Sequence, residues 1–263
     1  MKKLILLLSI FGSFNVVNAQ IISIDKTDTL TYIHKAKWEG NFSEGIEIDK
    51  QNTTLFDATN SADLSVSKWK NLFIFSGSER FTFSGPQDFL NTGYLHLRWR
   101  YSYKNNIHPE YFAQYQWDDK IGMKYRFVTG SNIRFSLIHH DKSNLVFGTG
   151  LLFENEKWDY EGVDTNLVKT TGPPIYVQKV KSNTYLKWEG SLSATTNLST
   201  AIFYQGGFDQ YFQPRISGTI SLDAAINAHF GFGFKIYCMY DSQPIVPITH
   251  TYWSFSNSFN YKL

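Results

Sequence analysis

The sequence predicts an all-β fold, a closed antiparallel transmembrane β-barrel of about 12 strands. Three observations carry that expectation. Apolar and polar residues alternate with period two through one segment after another. Aromatic residues supply 17% of the chain and charged residues only 18%, below the usual quarter, so side chains that alternate outward suit lipid better than water. The chain also opens with the charge and apolar pattern of an export leader.

In that leader Met1-Lys2-Lys3 is a positive start, Leu4 to Ile10 a short apolar core, and Val17-Asn18-Ala19 a junction of small or tolerated residues before Gln20. The core is far shorter than the roughly 20 apolar residues of a spanning helix. Residues 1–19 therefore read as a cleaved signal peptide, 20–35 as a short periplasmic segment, and 36–263 as a barrel in the cell outer membrane.

The strands follow in order. Trp38, Phe42, Ile46 and Ile48 share a face of the first segment, interrupted by Glu44, and Ala58, Ala62, Leu64 and Val66 mark the second. Phe73, Phe75, Gly77, Phe81 and Phe83 alternate with Ile74, Ser76, Ser78, Arg80 and Thr82 in the third. The fourth sets Leu95, Leu97, Trp99, Tyr101 and Tyr103 against His96, Arg98, Arg100 and Ser102. In the fifth, Tyr111, Ala113, Tyr115 and Trp117 oppose Phe112, Gln114, Gln116 and Asp118. Tyr125, Phe127, Ile133, Phe135 and Leu137 oppose Arg126, Asn132, Arg134 and Ser136 in the sixth. The seventh sets Leu145, Phe147, Leu151 and Phe153 against Glu154 and Glu156. Leu186, Trp188 and Leu192, then Ile202, Tyr204 and Phe208, then Ile216, Ile220, Leu222 and Ile226 continue the pattern. It closes on Phe230 to Tyr240 and on Trp253, Phe255, Phe259, Tyr261 and Leu263, a terminal strand of the kind that barrel-assembly machinery reads. A helix would scatter these sets around its circumference.

The connections agree. Short turns are expected near Trp69–Asn71, Lys104–Ile107, Asp141–Ser143, Thr196–Leu198 and Asn227, and the longest links at Asp159–Ser182 and Asp241–Thr249. With the N-terminus in the periplasm, the short turns face inward and the long links outward, as bacterial barrels arrange them. Tyr101, Tyr103, Tyr111, Tyr115 and Trp117 read as an interface girdle around the Lys104–Ile107 turn.

Several stretches also resemble a known family. They are Lys37-Trp38-Glu39-Gly40-Asn41-Phe42, His96-Leu97-Arg98-Trp99-Arg100-Tyr101 and His108-Pro109-Glu110-Tyr111-Phe112-Ala113-Gln114-Tyr115-Gln116-Trp117-Asp118, continued by Arg126, Gly130, Arg134 and Phe147 to Glu154. Together they resemble an outer-membrane barrel family of undefined function whose members are labelled salt-induced outer-membrane proteins. The resemblance spans most of the mature chain, is clearest from Trp38 to Trp158, and implies fold and location without an activity.

The inward set carries the chemistry. Arg98, Arg100, Arg126 and Arg134 are expected to pair with Glu110, Asp118, Glu154 and Glu156 across strands about 4.8 Å apart. The lattice either fills the barrel or lines a narrow path for a small solute of unidentified kind. No catalytic constellation emerges. His96, His108, His139, His140, His229 and His250 stand beside no nucleophile, and adjacent His139 and His140 face opposite sides of a strand. Gly148 and Gly150 read as close-packing or bulge positions in a strand, not as a phosphate loop. No cofactor or metal is expected. A net charge of +2 with scattered basic residues points away from nucleic acid, and the single Cys238 forbids an internal disulfide. The expected function is an envelope structural component or narrow channel, not an enzyme, with membrane lipid as its surroundings. The alternatives are a lipid-modifying outer-membrane enzyme and an exported carbohydrate-binding β-sandwich.

Overall fold

The computed structural model describes residues 36–50, 54–84, 88–140, 142–161, 163, 172–227 and 230–261. The expected leader, the 20–35 segment and the terminal Leu263 lie outside the described residues. The strands are β1 Lys37–Lys50, β2 Thr54–Lys68, β3 Asn71–Ser84, β4 Asp88–Tyr101, β5 Ile107–Asp118 and β6 Met123–His140. The second half comprises β7 Ser143–Trp158, β8 Ile175–Ser191, β9 Thr196–Gly207, β10 Arg215–Ala225, β11 Phe230–Asp241 and β12 Thr251–Tyr261. They form one 12-stranded sheet in chain order, each strand antiparallel to its sequence neighbours. β1 and β12 are its edges, and no backbone ladder joins them among the described residues.

The alternation read in the sequence sorts the two faces. On β4, Leu95, Leu97, Trp99 and Tyr101 are exposed, whereas His96, Arg98 and Arg100 are at most 2% exposed. Ionic side chains are therefore buried and large apolar ones uncovered, the reverse of a water-soluble sheet.

The buried face must be concave. Arg215 on β10 bonds Glu156 on β7, and Tyr185 on β8 bonds Glu110 on β5. Three strand spacings in a flat sheet would separate such partners by about 14 Å, beyond any side chain's reach. Curling brings them together.

Two further sites set local shape. Gly122 ends the short 3-10 turn Asp119–Ile121 in the left-handed region at φ 75°, where an added Cβ would meet the Asp159 carbonyl oxygen at 2.3 Å. Gly148 lies under the Tyr185 ring, which an added Cβ would meet at 2.2 Å. The close-packing reading of this strand glycine holds, and the register runs through it without a bulge. The irregularities of β6 lie instead at Met123/Tyr125 and Ser136/Ile138.

Four details depart from expectation. β8 begins at Ile175, so the link after β7 is shorter than Asp159–Ser182; Val177, Lys179 and Lys181 alternate inward and pair in register along β7. The turn expected at Thr196–Leu198 lies at 192–195, closed by Leu192 N donating to Thr196 O at 2.8 Å. Tyr103 is buried against Leu72 and Ile74 rather than exposed. Its neighbour Ser102 takes φ 51°, which breaks the strand's alternation one residue too early for Tyr103 to face outward.

The girdle also divides in two. Trp99 stacks on Phe73 and Tyr111 near the short turns, whereas Tyr115 contacts Trp117 and Tyr125 toward the other strand ends. From Tyr111 to Trp117 is about 20 Å along the strand. Two aromatic belts result.

Candidate functional site

Inward positions of β4–β11 gather the ionic residues into two groups. The first centres on Glu110, which is fully buried. Its Oε2 accepts from Arg100 Nε at 2.8 Å and lies 3.5 Å from Arg98 Nη1. Its Oε1 accepts from Asn132 Nδ2 and from the Tyr185 hydroxyl, each at 3.2 Å. Arg134 reaches the same centre by donating to Tyr185 Oη at 3.3 Å, and Asn183 donates to Asn132 at 3.0 Å. His96 and His108 border this group. His96 Nδ1 lies 3.0 Å from Gln114 Oε1, and His108 Nδ1 lies 3.1 Å from the Asn105 carbonyl oxygen.

The second group is built around Arg126 and Arg215. Arg126 lies 2.8 Å from Glu154 Oε2 and 2.7 Å from Glu156 Oε1, and it donates to Gln205 Oε1 at 3.1 Å. Arg215 holds Glu156 at 3.1 Å and Asp241 at 2.8 Å, while Lys181 closes on Glu154. Trp158 Nε1 donates to the remaining oxygen of Glu156 at 3.0 Å. A smaller pair stands apart on β2 and β3, where Arg80 Nε donates to both oxygens of Asp57 at 2.8 Å.

Apolar layers separate these groups. Phe112, Val128, Leu152 and Phe203 pack together between them. At the end where the long links lie, Met123, Trp158, Tyr237 and Met239 meet Val163 and Val246 from two links. Val246 is only 1% exposed, so the link between β11 and β12 is tucked inward rather than standing in solvent. Nearby, Lys124 lies 3.3 Å from Asp159 and 2.5 Å from Glu161; its hydrogen bond holds the Glu161 carboxyl below the ordinary carboxylate range.

Seven of the eight lattice residues expected from sequence fall within these groups. Arg98 and Arg100 meet Glu110, and Arg126 meets Glu154 and Glu156, as strand pairing implied. Arg134 joins through a tyrosine. Asp118 is the exception and corrects the expectation. Register sets it opposite Thr92 and Met123, and its carboxylate caps the 3-10 turn by accepting from Lys120 N at 3.0 Å.

Sequence reasoning missed Lys181, Arg215, Asp241, Asp57 and Tyr185. Lys181 fell inside an expected link, and Asp241 fell at a link boundary. Tyr185 looks apolar by composition, although its parity with Asn183 and Lys187 was a usable signal. Chemically the arrangement is a lattice. Glu110, Glu154 and Glu156 each accept from several donors, and none of those donors among the described residues is a serine, cysteine or threonine.

A family model described as protein of unknown function, DUF481, matches residues 52–262, and the chain belongs to that family. No curated protein and no solved structure gives a match. The match brings no activity, and the salt-induced label implied by the sequence resemblance is not part of it.

Proposed function

We propose, for a chain of the DUF481 family, that the sheet closes β1 onto β12 and sits in the outer membrane as an envelope barrel whose interior is filled rather than open. The carrying observation is the inverted burial pattern. Leu97, Ile133, Leu151 and Ile202 are each at least 45% exposed, while Arg100, Glu110, Arg126 and Glu156 on the opposite face are fully buried. A water-facing surface of that composition costs roughly 25 cal/mol per Å² of exposed apolar area, which lipid removes. Closure follows from the same physics, because an unpaired strand edge has no water to bond with inside a bilayer. The two aromatic belts fit the two headgroup levels.

The filled interior favours a structural role over a channel. Among the described residues apolar and ion-paired layers alternate along it, an arrangement that supports a sealed interior over an open one. A β-sandwich is disfavoured, since it requires two sheets with apolar inner faces, and this single sheet turns its charges inward.

Fractionation with a carbonate wash, followed by gels of heated and unheated samples, tests the membrane reading. Retention in the outer membrane and a heat-dependent mobility shift are expected. Release of folded protein into the wash would end it.

A further inference from the structure

One register row interrupts the apolar outward face. Pairing sets Glu44 of β1 opposite Asn60 of β2, Asn60 opposite Glu79 of β3, Glu79 opposite Gly93 of β4, and Gly93 opposite Trp117 of β5. Directly opposite residues share a face, and Glu79 keeps the parity of exposed Phe73, Phe75 and Phe83. Glu44 is exposed, while Asn60 and Glu79 are half-buried. Hydrogen bonds order the row. The Trp117 ring covers Gly93 and leaves no room there for a Cβ, and its Nε1 donates to Asn91 Oδ1 at 2.8 Å. Asn91 Nδ2 in turn donates to Glu79 Oε1 at 3.3 Å. Neither Glu44 nor Glu79 pairs with a lysine or arginine among the described residues. Between the strand ends, the outward positions of β5–β12 carry no charged residue at all among the described residues.

Both carboxylates lie within the apolar surface rather than at its border. Phe73 to Phe83 spans about 33 Å along β3, which a tilt near 40° reduces to about 25 Å, the height of a barrel's apolar band. Glu79 stands about 13 Å along the strand short of Phe83. On β1, exposed Phe42 and Ile46 bracket Glu44. Lipid headgroups therefore lie away from both, and an ionisable side chain at such depth needs a partner. Glu44 and Glu79 are two strand spacings apart, about 10 Å, so one cation can sit between them. A second copy of this chain does not bring that cation. Its matching face would set carboxylate against carboxylate, and its remaining outward face holds no positive charge between the strand ends among the described residues.

On the reading that the sheet lies in a membrane, we propose that the β1–β4 face docks a membrane-spanning partner segment carrying a lysine or arginine within its apolar stretch. The cation rests between Glu44 and Glu79, and the apolar side chains around it pack on Phe42, Ile46, Phe75 and Phe81.

The full chain is refolded into phosphatidylcholine vesicles, and insertion is checked by flotation. Three dansyl-labelled leucine–alanine helices of roughly 20 residues, with uncharged ends, are then added. They differ only in a central lysine, leucine or glutamate, and energy transfer from the chain's tryptophans reports association. The lysine helix associates saturably and about tenfold or more tightly than the leucine helix, as one charge-assisted contact requires. The glutamate helix does no better than the leucine helix. In the double variant E44Q/E79Q, which keeps side-chain shape and the acceptor for Asn91, the lysine helix falls to the leucine level. Gln178→Leu, at an exposed outward position of β8, leaves the preference intact. Equal association of all three helices would overturn the proposal, and a lysine preference that survives E44Q/E79Q would move the contact elsewhere. Sedimentation of the chain alone in detergent as a dimer that E44Q/E79Q disperses would make a second copy the occupant and overturn it too. A chain that fails to float with the vesicles would end the membrane reading itself, a result distinct from an inserted chain that ignores the lysine helix.

Discussion

Replacing Arg126 by methionine removes the cation that joins two strands and two carboxylates. In the native protein Arg126 lies 2.8 Å from Glu154 and 2.7 Å from Glu156, and both carboxylates are at most 1% exposed at the side chain. Methionine roughly keeps the volume, so the cost is electrostatic rather than a cavity. Breaking a buried pair by removing one partner costs about 3–5 kcal/mol. Here Arg215 and Lys181 still attend the stranded carboxylates, so about 3 kcal/mol is expected, the low end of that range. Adding Glu154→Gln restores the balance, leaving Arg215 and Lys181 with Glu156 and Asp241. At least half of the lost stability should return, although each single variant is destabilised. Urea unfolding in lipid vesicles, followed by tryptophan fluorescence, gives both single variants and the double. A cost below about 1 kcal/mol for Arg126→Met, or costs that simply add in the double, would refute the lattice as a coupled unit.

Other outcomes follow from the same geometry. Leu97→Arg, on the exposed face, should cost about 2–4 kcal/mol of insertion stability, and half-buried inward Ser136→Arg clearly less; equal costs in vesicle refolding would invert the faces. Gly148→Leu drives a side chain into the Tyr185 ring and through it disturbs Glu110, so a loss of about 1–3 kcal/mol or failure to fold is expected by urea titration. With exposed Cys238 replaced by serine, a cysteine at Phe42 tested in turn with one at Trp253, Phe255 or Asn257 should crosslink in at least one combination if β1 meets β12. No crosslink at any register would count against closure. Planar-bilayer recording should detect small or no steady conductance, and shortening the link after β11 to remove Val246 should raise it; a large wild-type conductance would contradict the filled interior.

Much of this was legible because a strand's period is two, so a single correct parity assigns every residue of a segment to its face. That is why Arg98, Arg100, Arg126 and Arg134 were readable as inward from sequence alone, and why Leu97 and Ile133 were readable as outward. Parity fails where the backbone leaves the strand. Ser102 at φ 51° turned Tyr103 inward, and Asp118 became a cap because the next turn needed an acceptor for Lys120 N. Partners across non-neighbouring strands were hidden for another reason. Arg215 meeting Glu156 depends on sheet curvature, which no local pattern in either segment records.

Curvature also bears on the filled interior proposed above. Along β6 the inward residues run Arg134, Asn132, Val128, Arg126 and Met123, so charge, apolar contact, charge and apolar contact succeed one another. β7 repeats the upper part of that order with Leu152, Glu154, Glu156 and Trp158. Each ionic group is thus flanked along its strands by apolar side chains, and its largely buried charges must find one another with good geometry or be destabilising. A conducting path makes the opposite demand, since its charges need weak, exchangeable contacts with water. The direct 2.7–2.8 Å contacts of Arg126 and Arg215, backed by Trp158 and Gln205, are contacts of a core. The apolar surface that would ordinarily form that core has been turned outward, and the ionic layers hold the concave face together in its place.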